Sequence, residues 1–177
     1  MTRLAPIAPE AMDAAQRAVY DAAVAGRRPY VPAPLQPWLR SPAFAMHAQK
    51  LGEAIRFDLH LSPEIIALTA LTVASHWGAG YVQATQEAKL LSLGFAPPVI
   101  AAIKAGRPPH LPHPAQSGAC EAARRLLDAR GFDDAAYAAV LAALGEAGVV
   151  ELVAAIGYYT LVSLTVVTFD IPPTATR

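Results

Sequence analysis

The stretch LSPEIIALTALTVASHWGAGYVQATQEAKLLSLGF, residues 61–95, decides the fold class. Ser62 is a helix-capping residue, and Pro63 suits the first helical position. Glu64 favours the positive end of a helix, and Gly94 is a typical helix stop. Strand patterns are weak in this stretch, so it predicts helices.

The same kinds of helix-start and helix-stop residues recur on both sides of this stretch. Ser41 and Pro42 begin another helical segment. Alanine-rich segments elsewhere end at glycines, namely Gly26, Gly106, Gly131 and Gly145. Proline-rich stretches at 27–38 and 107–118 predict loops between the helices. We count about eight helices and predict an all-α fold.

Composition indicates self-association and argues against a nucleic-acid partner. Hydrophobic residues make up 54% of the 177 residues and charged residues 16%, which is apolar for a monomer of this length. Surplus apolar surface is commonly covered in a homo-oligomer. Lys plus Arg and Asp plus Glu number 14 each, and no basic stripe is present, so we expect no binding to nucleic acid.

Few residues are suited to hold a metal or to do thiol chemistry. Cys120 is the single cysteine, which excludes an intrachain disulfide framework and a cysteine-based zinc site. A buried structural role for Cys120 is favoured over reactivity. His110 and His113 flank prolines, and a solvated loop is favoured over a metal site because further ligands are not evident. We therefore expect no metal and no cofactor.

The location of the protein is predicted from what its apolar segments contain. The first residues carry no apolar core of a secretory signal. The apolar run at 149–167 includes Glu151 and two tyrosines, so a buried helix is favoured over a membrane span. We expect a cytoplasmic protein with no membrane partner.

The chain contains, in this order, the stretches LSPEIIALTALTVASHW, YVQATQEAKLLSLGFAPPVIAAIKAGRPP and FDDAAYAAVLAALGEAGVVELVAAIGYYTLVSLTVVTFDIPP. Their order and spacing resemble the carboxymuconolactone decarboxylase-like family. That family includes the alkylhydroperoxidase D-like (AhpD-like) proteins. The N-terminal part of the chain resembles the longer members of this family, through the stretches AQRAVYDAAVAGRRP and WLRSPAFAMHAQKLGEAIRF. The resemblance implies a single domain over 1–177, with 1–60 as an N-terminal helical extension. It also implies an AhpD-like helical bundle that forms trimers or hexamers.

The resemblance also shows what this chain lacks. The peroxidase branch carries Cys-x-x-Cys-x-x-x-His, with a Glu nineteen residues before the His. Counted back from Gly94, the two Cys positions fall on Ala79 and Val82, the His on Gln86 and the Glu on Ala67. None of these side chains can do thiol redox chemistry. A second pattern, Glu-Trp-x-x-His, is missing too, since Val82, Gln83 and Gln86 occupy its places. A thiol hydroperoxidase is not expected.

Six residues are the candidates for a site near the central helix. His76 is a titratable group, Tyr81 can donate a proton, and Gln86 can hold an oxygen, so these are the candidate catalytic residues. The candidate substrate-binding residues are Gln83, Trp77 and Arg56, the last as an anchor for a carboxylate. Structural alternatives stay open: a hydrogen-bonded His76, core packing for Trp77 and Tyr81, amides that fill a former site, and an Arg56–Asp58 pair.

Two functions remain open on this basis. The first is a carboxymuconolactone decarboxylase-like protein that binds or converts a small organic acid, lactone or carbonyl compound by acid–base chemistry, as a lyase-like or isomerase-like enzyme. The second is a non-catalytic binding or assembly protein on the same fold. A weaker third option is peroxidase activity through Cys120 alone. Convergence of His76, Tyr81 and Gln86 on one cavity would favour the enzyme.

Overall fold

The computed structural model describes residues 2–28 and 30–173, and every regular element among them is helical. A short 3₁₀ turn, Pro9–Ala11, precedes the α-helices. The helices are α1 (Ala14–Ala25), α2 (Leu35–Trp38), α3 (Pro42–Phe57), α4 (Pro63–His76), α5 (Gly80–Ser92), α6 (Pro97–Lys104), α7 (Pro114–Ala129) and α8 (Asp134–Thr168). The predicted all-α fold is confirmed.

Side-chain caps begin several of these helices where the sequence places them. The Ser62 hydroxyl accepts a hydrogen bond from the Ile65 N–H at 3.4 Å, at the start of α4. The Asp133 carboxylate likewise accepts from the Ala136 N–H at 2.7 Å, at the start of α8. Ser41 precedes α3 but makes no side-chain cap bond.

Gly145 breaks α8 rather than ending a separate helix. Its backbone has φ +70° and ψ 172°, a conformation open to glycine and strained for other residues. The chain resumes helical geometry directly afterwards, so two predicted helices form one kinked element. This geometry agrees with the predicted stop at Gly145 and shows that no loop follows it.

Other predicted boundaries differ from the structure. The stretch 61–95 forms two helices, because α4 ends at His76, Gly78 turns the chain with φ +64°, and α5 begins at Gly80. The loop predicted to 118 ends at His113, since Pro114 suits the first position of α7. One helical turn, α2, interrupts the proline-rich stretch before α3.

Helix α4 lies at the centre of the bundle. Residues 65–74 are all buried, and α4 packs against α3, α5, α6, α7 and α8. The larger apolar cluster joins α1, α2 and α3 to α4 and α8. The N-terminal helices therefore share a core with the rest of the chain. By length and composition, α8 could also cross a membrane, but a core helix passes the same test and one such helix is weak evidence.

Candidate functional site

A cavity of about 320 Å³ lies between α3, α4, α5, α8 and the segment that leads into α2. Its volume is in the range of small-molecule sites. The lining combines apolar side chains with a few polar ones. The lining residues are Arg28, Tyr30, Pro32, Pro34, Leu35, Trp38, Gln49, Arg56, Phe57, Pro63, Ile66, Ala67, Tyr81, Val82, Thr85, Gln86, Lys89, Tyr158, Tyr159 and Val162.

The charges on this lining are all of one sign. Arg28, Arg56 and Lys89 are cations, and the described lining includes neither Asp nor Glu. A cavity wall with cations and no carboxylate favours an anionic occupant. The site is therefore electrostatically suited to a carboxylate or a similar anion.

Arg56 is the most enclosed of these cations. Its Nη1 donates to the Gly52 carbonyl at 2.6 Å and to the Tyr158 hydroxyl oxygen at 3.3 Å. Its guanidinium carbon also lies 5.4 Å from the ring centre of Tyr158 and 5.6 Å from that of Tyr159. Burial opposes the charge, but Tyr159 and Tyr158 outweigh it and hold the pKa of Arg56 above its ordinary value.

The predicted alternative partner of Arg56 is engaged elsewhere. The Asp58 carboxylate binds the guanidinium of Arg27 on the outer surface. No carboxylate of the described residues lies within ion-pair distance of Arg56. The charge of Arg56 therefore remains available to a ligand.

Arg28 adds a second guanidinium close to the first. Burial lowers the pKa of Arg28, and the positive charge of Arg56 lowers it further. Two like charges beside one cavity repel each other, and a bound anion would relieve that repulsion. The pair thus strengthens the preference for an anionic ligand.

Two tyrosines of the cavity lining accept hydrogen bonds from the protein through their hydroxyl oxygens. The Tyr81 oxygen accepts a hydrogen bond from the Ala33 N–H at 3.2 Å, and the Tyr158 oxygen accepts from Arg56. Each phenol therefore keeps its own hydrogen for another partner. Burial raises the pKa of Tyr81, so its hydroxyl stays protonated at neutral pH. The cavity offers two neutral hydrogen-bond donors beside its cations.

Gln49 contributes a buried amide to the wall. Its side chain is 7% exposed, and its Oε1 has no hydrogen-bond partner among the described residues. Buried amide oxygens are normally satisfied. Gln49 is thus a lining residue with a buried amide oxygen that lacks a partner among the described residues.

The structure brings together three of the six predicted site residues. Tyr81, Gln86 and Arg56 line the cavity, whereas His76, Trp77 and Gln83 do not. The expected convergence of His76, Tyr81 and Gln86 is therefore only partly present.

Contacts at the junction of α4 and α5 explain why His76, Trp77 and Gln83 do not line the cavity. His76 ends α4, and its Nδ1 lies 3.4 Å from the Asp128 carboxylate on the outside of the bundle. Trp77 is 36% exposed and packs edge-on against the His76 ring. The Gln83 amide nitrogen donates to the Ala74 carbonyl at 3.3 Å and so turns towards the end of α4.

The positions matched to the peroxidase pattern mostly face this cavity. Ala67, Val82 and Gln86 line it, and Ala79 is fully buried just before α5. Aliphatic and amide groups thus occupy the wall where the pattern would place reactive groups. The wall can bind and orient a ligand, and it offers no thiol.

Cys120 lies apart from the cavity. Its side chain is 2% exposed in a second apolar cluster beneath α4, α5 and α6. Burial raises the pKa of the thiol to about 11, so the reactive thiolate is scarce at neutral pH. His110 and His113 are exposed, and no group of three His, Cys, Asp or Glu side chains suited to a metal occurs among the described residues.

Glu151 does not cap its own helix. Its carboxylate accepts from the N–H groups of His60 at 3.0 Å and Leu61 at 2.9 Å, and it also contacts the His60 ring. It thereby ties the loop between α3 and α4 to α8. Its role is structural and lies outside the cavity.

The sequence reasoning missed several polar residues of the site, four of which are central to the account above. These are Arg28, Gln49, Lys89 and Tyr158. Gln49 lies on the same face of α3 as Arg56, so its spacing from Arg56 in the sequence could have indicated it. The others come together only through tertiary packing.

Comparisons with known proteins identify the fold. A scan against protein-family models and a search of curated proteins give no match. Among solved structures, an uncharacterised peroxidase-related protein from Ralstonia eutropha JMP134, described as an alkylhydroperoxidase AhpD core, is similar with TM-score 0.80 and 13% identity. The match covers 98% of this chain and 92% of that one.

A second similar structure is a protein of unknown function from Agrobacterium tumefaciens, described as a candidate antioxidant defence protein AhpD. Its TM-score is 0.69 at 15% identity, over 77% of this chain and 94% of that one. The chain thus has the AhpD-like helical fold, as the resemblance implied. At these identities the likeness concerns the fold alone.

Proposed function

We propose that the protein binds a small organic acid in the cavity beside Arg56 and converts it, or a related lactone or carbonyl compound, by acid–base chemistry. One observation carries the proposal: Arg56 lines the cavity, and its described polar partners, the Gly52 carbonyl and the Tyr158 hydroxyl, are neutral. A guanidinium forms paired, charge-assisted hydrogen bonds with a carboxylate. Arg28 would add to the attraction.

The catalytic roles follow from the groups at the wall. Tyr81 and Tyr158 would donate a proton or a hydrogen bond to a ligand oxygen, and the Gln86 amide would hold that oxygen. His76 takes no part, because it lies outside the cavity. These roles require neither thiol nor cofactor, which favours lyase-like or isomerase-like chemistry over peroxide reduction.

Calorimetry with matched ligands tests the proposal. Benzoate should bind the wild-type protein at least tenfold more tightly than neutral benzamide, because only the acid pairs with Arg56. Arg56→Gln should weaken benzoate binding by about 10- to 100-fold, while Arg125→Gln, on the outer face of α7, should leave it unchanged. Equal affinity for the two ligands, or full affinity in Arg56→Gln, would overturn it.

A second candidate function is non-catalytic binding or assembly. Helix α8 exposes a stripe of apolar residues, which favours association between copies of the chain. We keep a trimer or hexamer in the cytoplasm as the proposed state. Mass spectrometry of bound acids after incubation separates the two functions, since a binding protein returns its ligand unchanged.

A further inference from the structure

Aromatic side chains are concentrated around the cavity. Six of its twenty lining residues are aromatic, and only four are Leu, Ile or Val. The whole chain has the opposite balance, with about three Leu, Ile or Val residues to each aromatic one. The aromatic lining residues are Tyr30, Trp38, Phe57, Tyr81, Tyr158 and Tyr159. Every buried aromatic residue of the described chain is among them, so the rest of the core is packed without buried rings.

Two of these rings combine accessible surface with closeness to the cations. Tyr30 is 51% exposed and Phe57 is 43% exposed, whereas the other four aromatic lining residues are at most 7% exposed. Phe57 directly follows Arg56 in α3, and Tyr30 lies within electrostatic range of both Arg28 and Arg56. The carbon skeleton of an acid held by Arg56 therefore begins beside accessible aromatic surface.

An aromatic wall distinguishes an aromatic ligand from a saturated one. Aromatic rings attract each other in edge-to-face and offset arrangements, because the ring edge is positive and the ring face negative. One such pair strengthens an association by roughly two- to tenfold beyond the effect of the buried area. A saturated ring of the same size lacks this attraction, although its removal from water is at least as favourable.

The cavity is large enough for one ring with its carboxylate. An apolar protein cavity of roughly 150 Å³ holds a benzene molecule. The cavity beside Arg56 has a volume of about 320 Å³. A single aromatic ring that carries a carboxylate therefore fits without rearrangement of the wall.

We infer that the ligand is an aromatic carboxylic acid with one ring: its carboxylate binds Arg56, and its ring packs against Tyr30 and Phe57. The inference rests on the proposed function, because it takes the carboxylate site at Arg56 as given. In the competing account the rings only pack the protein, and the acid is aliphatic. The two accounts predict different preferences between aromatic and saturated acids.

Calorimetry with a matched pair of acids tests the inference. Benzoate and cyclohexanecarboxylate are both ionised at neutral pH and have rings of the same size, but only benzoate is aromatic. Benzoate should bind the wild-type protein at least about threefold more tightly than cyclohexanecarboxylate. A smaller preference would overturn the inference, as would tighter binding of the saturated acid, the result expected from burial of apolar surface alone.

Substitutions at the two accessible rings assign the preference to them. Tyr30 and Phe57 are exposed, so their replacement leaves the buried core in place. The double variant Tyr30→Leu with Phe57→Leu keeps apolar side chains but removes both rings, and the preference for benzoate should fall to about twofold or less. Tyr30→Phe keeps its ring and should retain the preference, as should Tyr137→Leu at an exposed position outside the cavity. An undiminished preference in the double variant would overturn the inference.

The same measurements separate this inference from the proposed function. If cyclohexanecarboxylate binds as tightly as benzoate and Arg56→Gln weakens both, the carboxylate site stands and only the aromatic preference is overturned. Absence of benzoate binding, or benzoate binding that survives Arg56→Gln, overturns both.

Discussion

The Arg56 guanidinium donates to the Tyr158 hydroxyl oxygen across 3.3 Å, although the two residues lie 102 positions apart in the chain. The contact joins α3 to α8 at the wall of the cavity. It fixes the phenol as an acceptor towards the protein and leaves its hydrogen for a ligand. The charge and the proton donor of the proposed site thus act as one unit.

Removal of the Tyr158 hydroxyl tests this unit. Tyr158→Phe keeps the ring over Arg56 but loses the donor, so acid affinity should fall by about three- to tenfold. Any turnover should fall by a larger factor, because proton donation is lost as well. Calorimetry and product analysis measure the two effects. Tyr137→Phe, on the exposed part of α8, is the matched control and should change neither. Unaltered affinity and turnover in Tyr158→Phe would exclude the phenol from the site.

Gly52 provides the space for this contact. A Cβ at Gly52 would overlap the Tyr158 hydroxyl and lie 2.9 Å from Arg56 Nη1. Gly52→Ala should therefore lower the free energy of unfolding by about 1–3 kcal/mol, as overpacked sites do, and weaken acid binding. Urea unfolding and calorimetry measure the two effects.

The control for this substitution is a helical glycine with room for a methyl group. At Gly118 in α7, an added Cβ would meet only the Ala143 side chain, at 3.7 Å. Gly118→Ala should be neutral or stabilising by up to about 1 kcal/mol, because alanine favours a helix. Equal effects at Gly52 and Gly118 would contradict the steric account.

Local chemistry predicted the helices well because caps and stops act within a few residues. Ser62 and Pro63 start α4, and Gly145 interrupts the chain where the pattern ends. Errors occurred where two signs compete: Pro114 was assigned to a proline-rich loop, although proline also suits the first turn of a helix.

The site was harder to predict, because it depends on how helices face one another. Gln83 was a candidate because it occupies a place of the second pattern and lies three residues before Gln86 on the same helix. The face that lines the cavity is that of Tyr81, Val82 and Gln86. Distant contacts such as that between Arg56 and Tyr158 leave no local pattern. Arg56, Tyr81 and Gln86 were found from their chemistry, whereas Gln49 required the packed structure.

Glu151 should make stability depend on pH. Its side chain is 13% exposed; burial opposes its charge, but the hydrogen bonds from His60 and Leu61 outweigh this and lower its pKa. A carboxyl with a lowered folded-state pKa stabilises the fold fully above its ordinary value of 4.5. That stabilisation is lost as the pH falls through the folded-state pKa.

Glu151→Gln tests this dependence. At pH 7 it should lower the free energy of unfolding by about 2 kcal/mol, since hydrogen bonds to a charged acceptor are lost. At pH 3 the difference from wild type should shrink. Urea unfolding at both pH values measures it, and Glu146→Gln, an exposed site on the same helix, should have little effect at either. A difference that stays constant with pH would contradict the assignment.

The outer face of α8 should mediate self-association. Val150 is 69% exposed and Leu164 is 42% exposed, and Val153 and Val167 lie on the same face at near-heptad spacing. Such a stripe is complementary to a copy of itself, and a charge within it would have to be buried unpaired. Val153→Glu should therefore lower the assembled mass measured by light scattering after gel filtration. Val24→Glu, at an exposed apolar site on α1, should leave that mass unchanged. A wild-type protein that stays monomeric, or a Val153→Glu variant that assembles like wild type, would show that this face is not the interface.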